Sequence, residues 1–164
     1  MADVADAMAD ILHLPANQRL WIRRAALLHD IGKLGLGNSI LEQTQRFSEV
    51  DQQRYREHVM MGRKILSEIR GFAPILPLVE AHHEYFDGTG FPFGLAADQI
   101  PQGAQILAVA DQFDRLFCGP EPVLSTHHAL TKLSEQRGTV FAPAMVDALA
   151  QAVLAGHVHA PLPR

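Results

Sequence analysis

The stretch ILAVADQF, residues 106–113, sets Asp111 inside an otherwise strongly apolar helical run. A lone carboxylate buried there is expensive to desolvate unless it is paired or metal-bound. Similar placements recur along the chain. AALLHD (25–30) puts His29 and Asp30 at the last turn of an apolar helix, His58 sits within HVMMG, and His82 and His83 stand side by side in AHHEYFDGTGFP (81–92). Four groups of ligand-type residues thus fall on four separate helical stretches. The fold has to accommodate all of them, and helical bundles build metal sites by pointing such residues inward from several helices.

The apolar positions recur mostly at helical spacing, and strand signals are poor. VADAMADIL opens the chain as a helix, with Asp3 as a weak candidate cap. A second helix is expected from Asn17 to Asp30, ended by Gly32. GLGNSIL reads as a loop leading to a short turn. Ser48 caps a long amphipathic helix running to Arg70, which Gly71 and Pro74 close. A helix from Leu76 to Glu84 delivers the histidine pair at its end, and DGTGFPFGLAADQIP follows as an ordered loop. Pro101 starts the helix that carries Asp111, CGPEPVLS breaks it, Ser125 caps the next, and Pro143 starts the last. The expectation is an all-α bundle of about seven helices, one domain over 1–156 with a loose tail over 157–164. The 164 residues suffice for one domain with a real core.

The ligand types narrow the chemistry. Imidazole and carboxylate suit Fe, Mn, Zn or Ni, whereas a thiolate site needs more than the single Cys118. A carboxylate has two oxygens and can bridge two cations. Neighbouring residues on a helix diverge by about 100°, so His82 and His83 can approach one metal from two sides or reach two. Two metals about 3.5–4 Å apart activate a water and neutralise a phosphodiester. Lys33, just past Gly32, adds a cation at the same helix end.

Taken singly, each residue has a plainer role. His29 suits a hydrogen-bonded core or cap position, His58 the surface of an amphipathic helix, Asp111 a pair with Arg115 at i,i+4, and Lys33 a solvated helix end. It is the set that points to metal. Of the nine histidines, the other five suit bland roles: His13 at a helix end, His127 and His128 in a first turn, His157 and His159 in the tail.

The formal net charge is −4 and no basic block stands out. Broad nucleic-acid binding, DNA included, needs many phosphate contacts and is not expected; a compact phosphorylated ligand stays compatible with this charge if a metal supplies the positive field. One cysteine excludes an internal disulfide and fits a reducing compartment. With neither a membrane-spanning run nor a signal peptide legible, the expectation is a cytoplasmic protein.

AALLHDIGKLG, HVMMGRKIL, AHHEYFDGTGFPFGL and AQILAVADQFDRL follow one another in the order and spacing of HD-GYP domains. The chain resembles that branch of the HD phosphohydrolase superfamily closely as far as residue 120 and more loosely beyond. The resemblance implies a helical HD fold with a centre of two or three divalent metals, Fe or Mn ahead of Zn or Ni. It implies hydrolysis of cyclic di-GMP or a related dinucleotide to linear pGpG, to GMP or to both. By position, Asp30 looks like the bridging carboxylate; His29 and Asp111 would serve one metal, and His58, His82 and His83 another. Lys33 matches a lysine near the scissile phosphate. Asp87, Gly88, Gly90, Phe91 and Pro92 match the loop that flanks the site, and Arg115 is a candidate substrate contact.

Three departures from the family pattern follow. A further metal-binding histidine would fall a few residues before Met1. The motif tyrosine is Phe91, whose ring can still stack on a base. The basic stretch expected after DQFDRL is replaced by FCGPEPVLS, leaving Arg115, Arg63 and Lys64 as substitutes. These departures keep alternatives open: a degenerate module that binds ligand or a GGDEF-type cyclase partner without hydrolysis, or a phosphohydrolase for another nucleotide. The receiver or sensor that usually precedes such a domain is not part of this chain.

Overall fold

Seven α-helices stand among the described residues, in the order α1 (Ala2–Ile11), α2 (Ala16–Leu28), α3 (Glu49–Ser67), α4 (Leu76–Glu80), α5 (Gln102–Cys118), α6 (Thr126–Ser134) and α7 (Pro143–Leu154). Short 3-10 turns occupy Ile31–Gly35, Arg70–Ile75 and Ala97–Gln99. The structure is a computed structural model that describes residues 1–37, 40, 48–118, 123 and 125–159. Within them the only β pairing is an isolated bridge between Arg137 and Phe141. The expected GLGNSIL turn, the CGPEPVLS break and the end of the tail lie wholly or partly outside the described residues.

Local chemistry starts the helices where the sequence suggests. The Ser48 side chain accepts from the Asp51 amide while the Asp51 carboxylate accepts from the Ser48 amide, closing a capping box on α3. Ser125 accepts from the His128 amide to cap α6, and Pro143 occupies the first turn of α7. Asp3 does not cap α1; it pairs with Arg23 of α2 at 2.7 Å. Arg19 holds Asp6 and Asp10 alongside, so α1 and α2 are laced by surface ion pairs.

α5 is the central element and packs against α1, α2, α4, α6 and α7. Its buried face includes Ala104, Ile106, Leu107, Val109, Ala110 and Phe113. Val4, Ala5, Met8 and Ala9 of α1, Leu149 and Ala152 of α7 and Val79 of α4 complete the same core. Val158 also belongs to it, so the chain stays packed two residues past Gly156.

Three expected helix ends move. α2 stops at Leu28 rather than Asp30, α3 at Ser67 rather than Arg70, and α4 at Glu80 rather than Glu84. Residues 81–83 form a turn. The reason at His82–His83 is directional: adjacent side chains on a helix diverge, whereas a turn brings both rings inward with centroids 4.0 Å apart.

Glycines set the spacing around the site. A Cβ on Gly32 would lie 1.9 Å from the His58 carbonyl oxygen and 2.4 Å from the Gly62 nitrogen. The turn after α2 therefore lies directly on the α3 backbone, which brings Asp30 beside His58. A Cβ on Gly90 would lie 2.2 Å from the Tyr85 nitrogen and 2.6 Å from the His83 carbonyl oxygen. The Gly-rich loop can fold over the histidine turn only because that position has no side chain.

Candidate metal centre

Three of the site imidazoles are fixed the same way. Nδ1 of His29, His58 and His82 bonds the backbone carbonyl three residues earlier, at Ala26 (2.9 Å), Tyr55 (2.6 Å) and Val79 (2.6 Å). With Nδ1 as donor, Nε2 carries the free lone pair, the arrangement in which histidine ligates a metal. The Nε2 atoms of His29, His58, His82 and His83 are all buried and have no hydrogen-bond partner among the described residues. An unpaired buried polar atom is costly, so four of them together mark a place built for something else.

They meet around Asp30. One donor atom each from Asp30, His58, His82 and His83 lie within 4.8 Å of one another. Asp30 Oδ1 is 3.5 Å from His58 Nε2, while Oδ2 is 3.3 Å from His29 Nε2 and 2.5 Å from Lys33 Nζ. Asp111 approaches from α5, with Oδ1 3.7 Å from His29 Nε2 and Oδ2 3.6 Å from Arg115. The carboxylate of Asp30 therefore faces two groups of ligands at once, and Asp111 meets both the histidine and the arginine. The donor set fits divalent metal: three free-base imidazoles at His58, His82 and His83, and two ionised carboxylates whose charge His29, Lys33 and Arg115 balance in this structure.

Electrostatics agree with that fit. Burial lowers the His82 pKa to about 4, helped by charge on His29. Burial likewise holds His83 well below the usual imidazole range, and His58 below it. These three rings are thus free bases at neutral pH. Burial works against protonation of His29 too, yet the Asp111 and Asp30 carboxylates outweigh it and bring its pKa up to about 9. Burial opposes ionisation of Asp30, but His29 and Lys33 hold it well below the usual carboxylate range. A spot that keeps a proton on an imidazole between two carboxylates is a spot that favours a cation.

His58 is fully buried, not a surface residue of an amphipathic helix. It lies on the face of α3 covered by the 31–35 turn and α4. Phe91 stacks on the His83 ring at 4.7 Å and 24°, and Arg56 lies 4.9 Å from its centroid. The expected free stacking platform thus already has a partner on its face. Asp87 turns back on its own loop, accepting from the Thr89 amide and hydroxyl, and its backbone amide donates to the Thr139 carbonyl. Gly88 has φ +83°, which favours glycine, and the Phe91–Pro92 peptide is cis. Asp87, Gly88, Gly90 and Pro92 shape the loop, and the wall of the adjoining cavity is formed by other residues. Arg63 pairs with Glu80, Lys64 is exposed, and neither lines that cavity.

The cavity beside the histidines has a volume of about 330 Å³. Its lining includes Gln52, Tyr55 and Arg56 of α3, Gln112 and Arg115 of α5, Phe91, and Gln136 and Phe141 from the chain after α6. Sequence reading missed most of these. A signal existed for few of them: Tyr55 stands three residues before His58 and Ala108 three before Asp111, on the same helix faces, whereas Gln52, Arg56 and Gln112 stand off those faces. Glu84 is a second omission. It is buried and turned to the loop rather than to the site histidines, accepting the Phe93 and Leu95 amides at 2.7 and 3.0 Å.

The family model described as HD domain matches residues 1–145. Among curated relatives, the 3'3'-cGAMP-specific phosphodiesterase 3 of Vibrio cholerae is 39% identical over 116 residues, 71% of this chain and 25% of the relative. The cyclic di-GMP phosphodiesterase response regulator RpfG of Xanthomonas campestris is 36% identical over 153 residues, 91% of this chain and 40% of the relative. A cyclic di-GMP phosphodiesterase of Thermotoga maritima is 36% identical over 136 residues, 77% of this chain and 36% of the relative. The chain thus spans well under half the length of these relatives. In fold it is similar to the crystal structure of a cyclic GMP-AMP-specific phosphodiesterase of V. cholerae, with TM-score 0.73, 19% identity, and coverage of 95% of this chain and 44% of that one. It is also similar to an HDG"Y"P protein of Bdellovibrio bacteriovorus, with TM-score 0.74, 20% identity, and coverage of 92% and 49%.

Proposed function

The chain belongs to the HD domain family, and on that premise we propose that it is a metal-dependent phosphodiesterase acting on cyclic dinucleotides, cutting cyclic di-GMP to linear pGpG, to GMP or to both. One observation carries the reading: the buried Nε2 atoms of His58, His82 and His83, without hydrogen-bond partners, gather with Asp30, whose other oxygen faces His29. In it, Asp30, His29 and Asp111 would hold one cation, and Asp30 with His58, His82 and His83 would hold another. When bound, such ions polarise a phosphodiester and lower the pKa of water.

The chain's own groups do the rest. Backbone carbonyls at Ala26, Tyr55 and Val79 keep three imidazoles in the ligating tautomer without reorganisation. Lys33 places a second-sphere cation beside Asp30, where a phosphate carrying developing charge would sit. Arg115 and Arg56 put positive charge in the cavity wall of an otherwise acidic chain, favouring entry of a dianionic ligand. A cavity of about 330 Å³ lies within the range of small-ligand sites. Phe91, positioned by Asp87, Gly88, Gly90 and Pro92, presents an apolar edge to a base. The relatives named for cyclic di-GMP and for 3'3'-cGAMP support the substrate class.

The test is hydrolysis by protein loaded anaerobically with Fe(II) or Mn(II), followed by chromatography of cyclic di-GMP, 3'3'-cGAMP and linear dinucleotides. The expected result is linear or mononucleotide product, abolished by Asp30→Ala. Folded, metal-loaded protein that cleaves no cyclic dinucleotide contradicts the proposal.

A further inference from the structure

Lys33 has two neighbours of different kinds. Its Nζ lies 2.5 Å from Asp30 Oδ2. It also lies 5.3 Å from the centroid of the Tyr55 ring, within reach of a cation–π contact. Tyr55 is tied to the centre a second time: its carbonyl accepts from His58 Nδ1 at 2.6 Å, and its ring lies 4.9 Å from the His58 ring. It also lines the cavity beside the histidines.

The two contacts of Lys33 respond differently to cations. Asp30 is the carboxylate that the bound ions would share, so loading the centre draws its charge away from Lys33. The ions also repel the ammonium. The aromatic face of Tyr55 is neutral and keeps its attraction for Lys33 regardless. Without it, a four-carbon side chain beside a charged centre would swing toward solvent.

Resting on the phosphodiesterase reading above, we propose that Tyr55 is a positioning residue: its ring holds the Lys33 ammonium beside the loaded centre, where it meets the phosphate of the substrate. The role belongs to the side chain, because the carbonyl that fixes His58 survives any substitution at this position.

Tyr55→Leu, Lys33→Met and their double variant test this beside Tyr55→Phe, each loaded with Mn(II). Three quantities are read: metal content by elemental analysis, affinity for inorganic phosphate by calorimetry, and kcat/KM for cyclic di-GMP. Tyr55→Phe keeps the ring as the conservative variant, and a thermal midpoint checks the fold of each. The expected result for Tyr55→Leu is unchanged metal content, phosphate affinity and kcat/KM each reduced about fivefold, the order of one partly desolvated cation–π contact, near wild-type values in Tyr55→Phe, and no further reduction when Lys33 is already Met. The proposal is overturned if neither quantity moves, if the reduction persists undiminished in the Lys33→Met background, or if metal content falls. Should the wild-type protein cleave no cyclic dinucleotide, the phosphodiesterase reading fails by itself, and the phosphate affinities still decide the role of Tyr55.

Discussion

At the scale of single residues, the site is defined by atoms without partners. His82 is buried with its Nε2 unpaired, a cost on the order of 1–3 kcal/mol to the metal-free protein. His82→Leu, close in volume, removes that cost. It is expected to raise the thermal midpoint of the metal-free protein by a few degrees and to cancel most of the rise that metal gives the wild type. Differential scanning calorimetry with and without Mn(II) measures both, and a variant destabilised in the metal-free state would argue for an ordinary core histidine. Glu84 makes the opposite case. It accepts two backbone amides of the 93–95 loop, so Glu84→Gln leaves a donor facing a donor. A loss of about 2 kcal/mol is expected in denaturant melts, with faster hydrogen exchange at Phe93 and Leu95 and unaltered metal content. Sequence alone could name both residues but not separate them. Within HHE, three neighbouring polar side chains look equally like ligands until the turn aims two inward and one into the loop.

At the scale of elements, the ends of helices matter more than their middles. The helices themselves were legible from apolar periodicity and caps: Ser48, Ser125 and Pro143 start elements where expected. Their ends were not, because α2 stops two residues early and α4 four, letting Asp30 and the His82–His83 pair leave the helical direction. That stop is dictated by partners distant in sequence, above all the backbone of α3 under Gly32. Gly32→Ala would force a Cβ into the His58 carbonyl and the Gly62 amide, atoms that cannot move alone. A loss of about 3 kcal/mol or more is expected, seen as a lower denaturant midpoint together with lost metal binding. Gly90→Ala meets the backbone of Glu84 and Tyr85 and is expected to displace the loop while sparing the bundle. Metal content would then be retained while KM for cyclic di-GMP rises, a split that steady-state kinetics and elemental analysis resolve.

At the scale of the whole molecule, one helix organises the rest. α5 runs through the core with Phe113 fully buried and delivers Asp111 to the centre from the far side. The bundle thus converts its hydrophobic packing into the alignment of ligands from residues 29 to 111. That convergence was legible as a requirement, since four buried ligand groups had to meet, and the resemblance to HD-GYP motifs assigned them roles. The cavity wall was not legible. Gln136 and Phe141 come from the less similar end of the chain, and Arg56 and Tyr55 belong to no motif. Because metal binds the folded chain alone, loading at a hundred times its dissociation constant is expected to stabilise the protein by about 2.7 kcal/mol, and chelation to reverse this. The most direct test of the central claim is elemental analysis of the protein loaded anaerobically with Fe(II) or Mn(II), beside its Asp30→Ala variant. About two ions per chain in the wild type, falling below one in the variant, is the predicted result; no metal above background in the folded wild type, or an equal content in both, would contradict it.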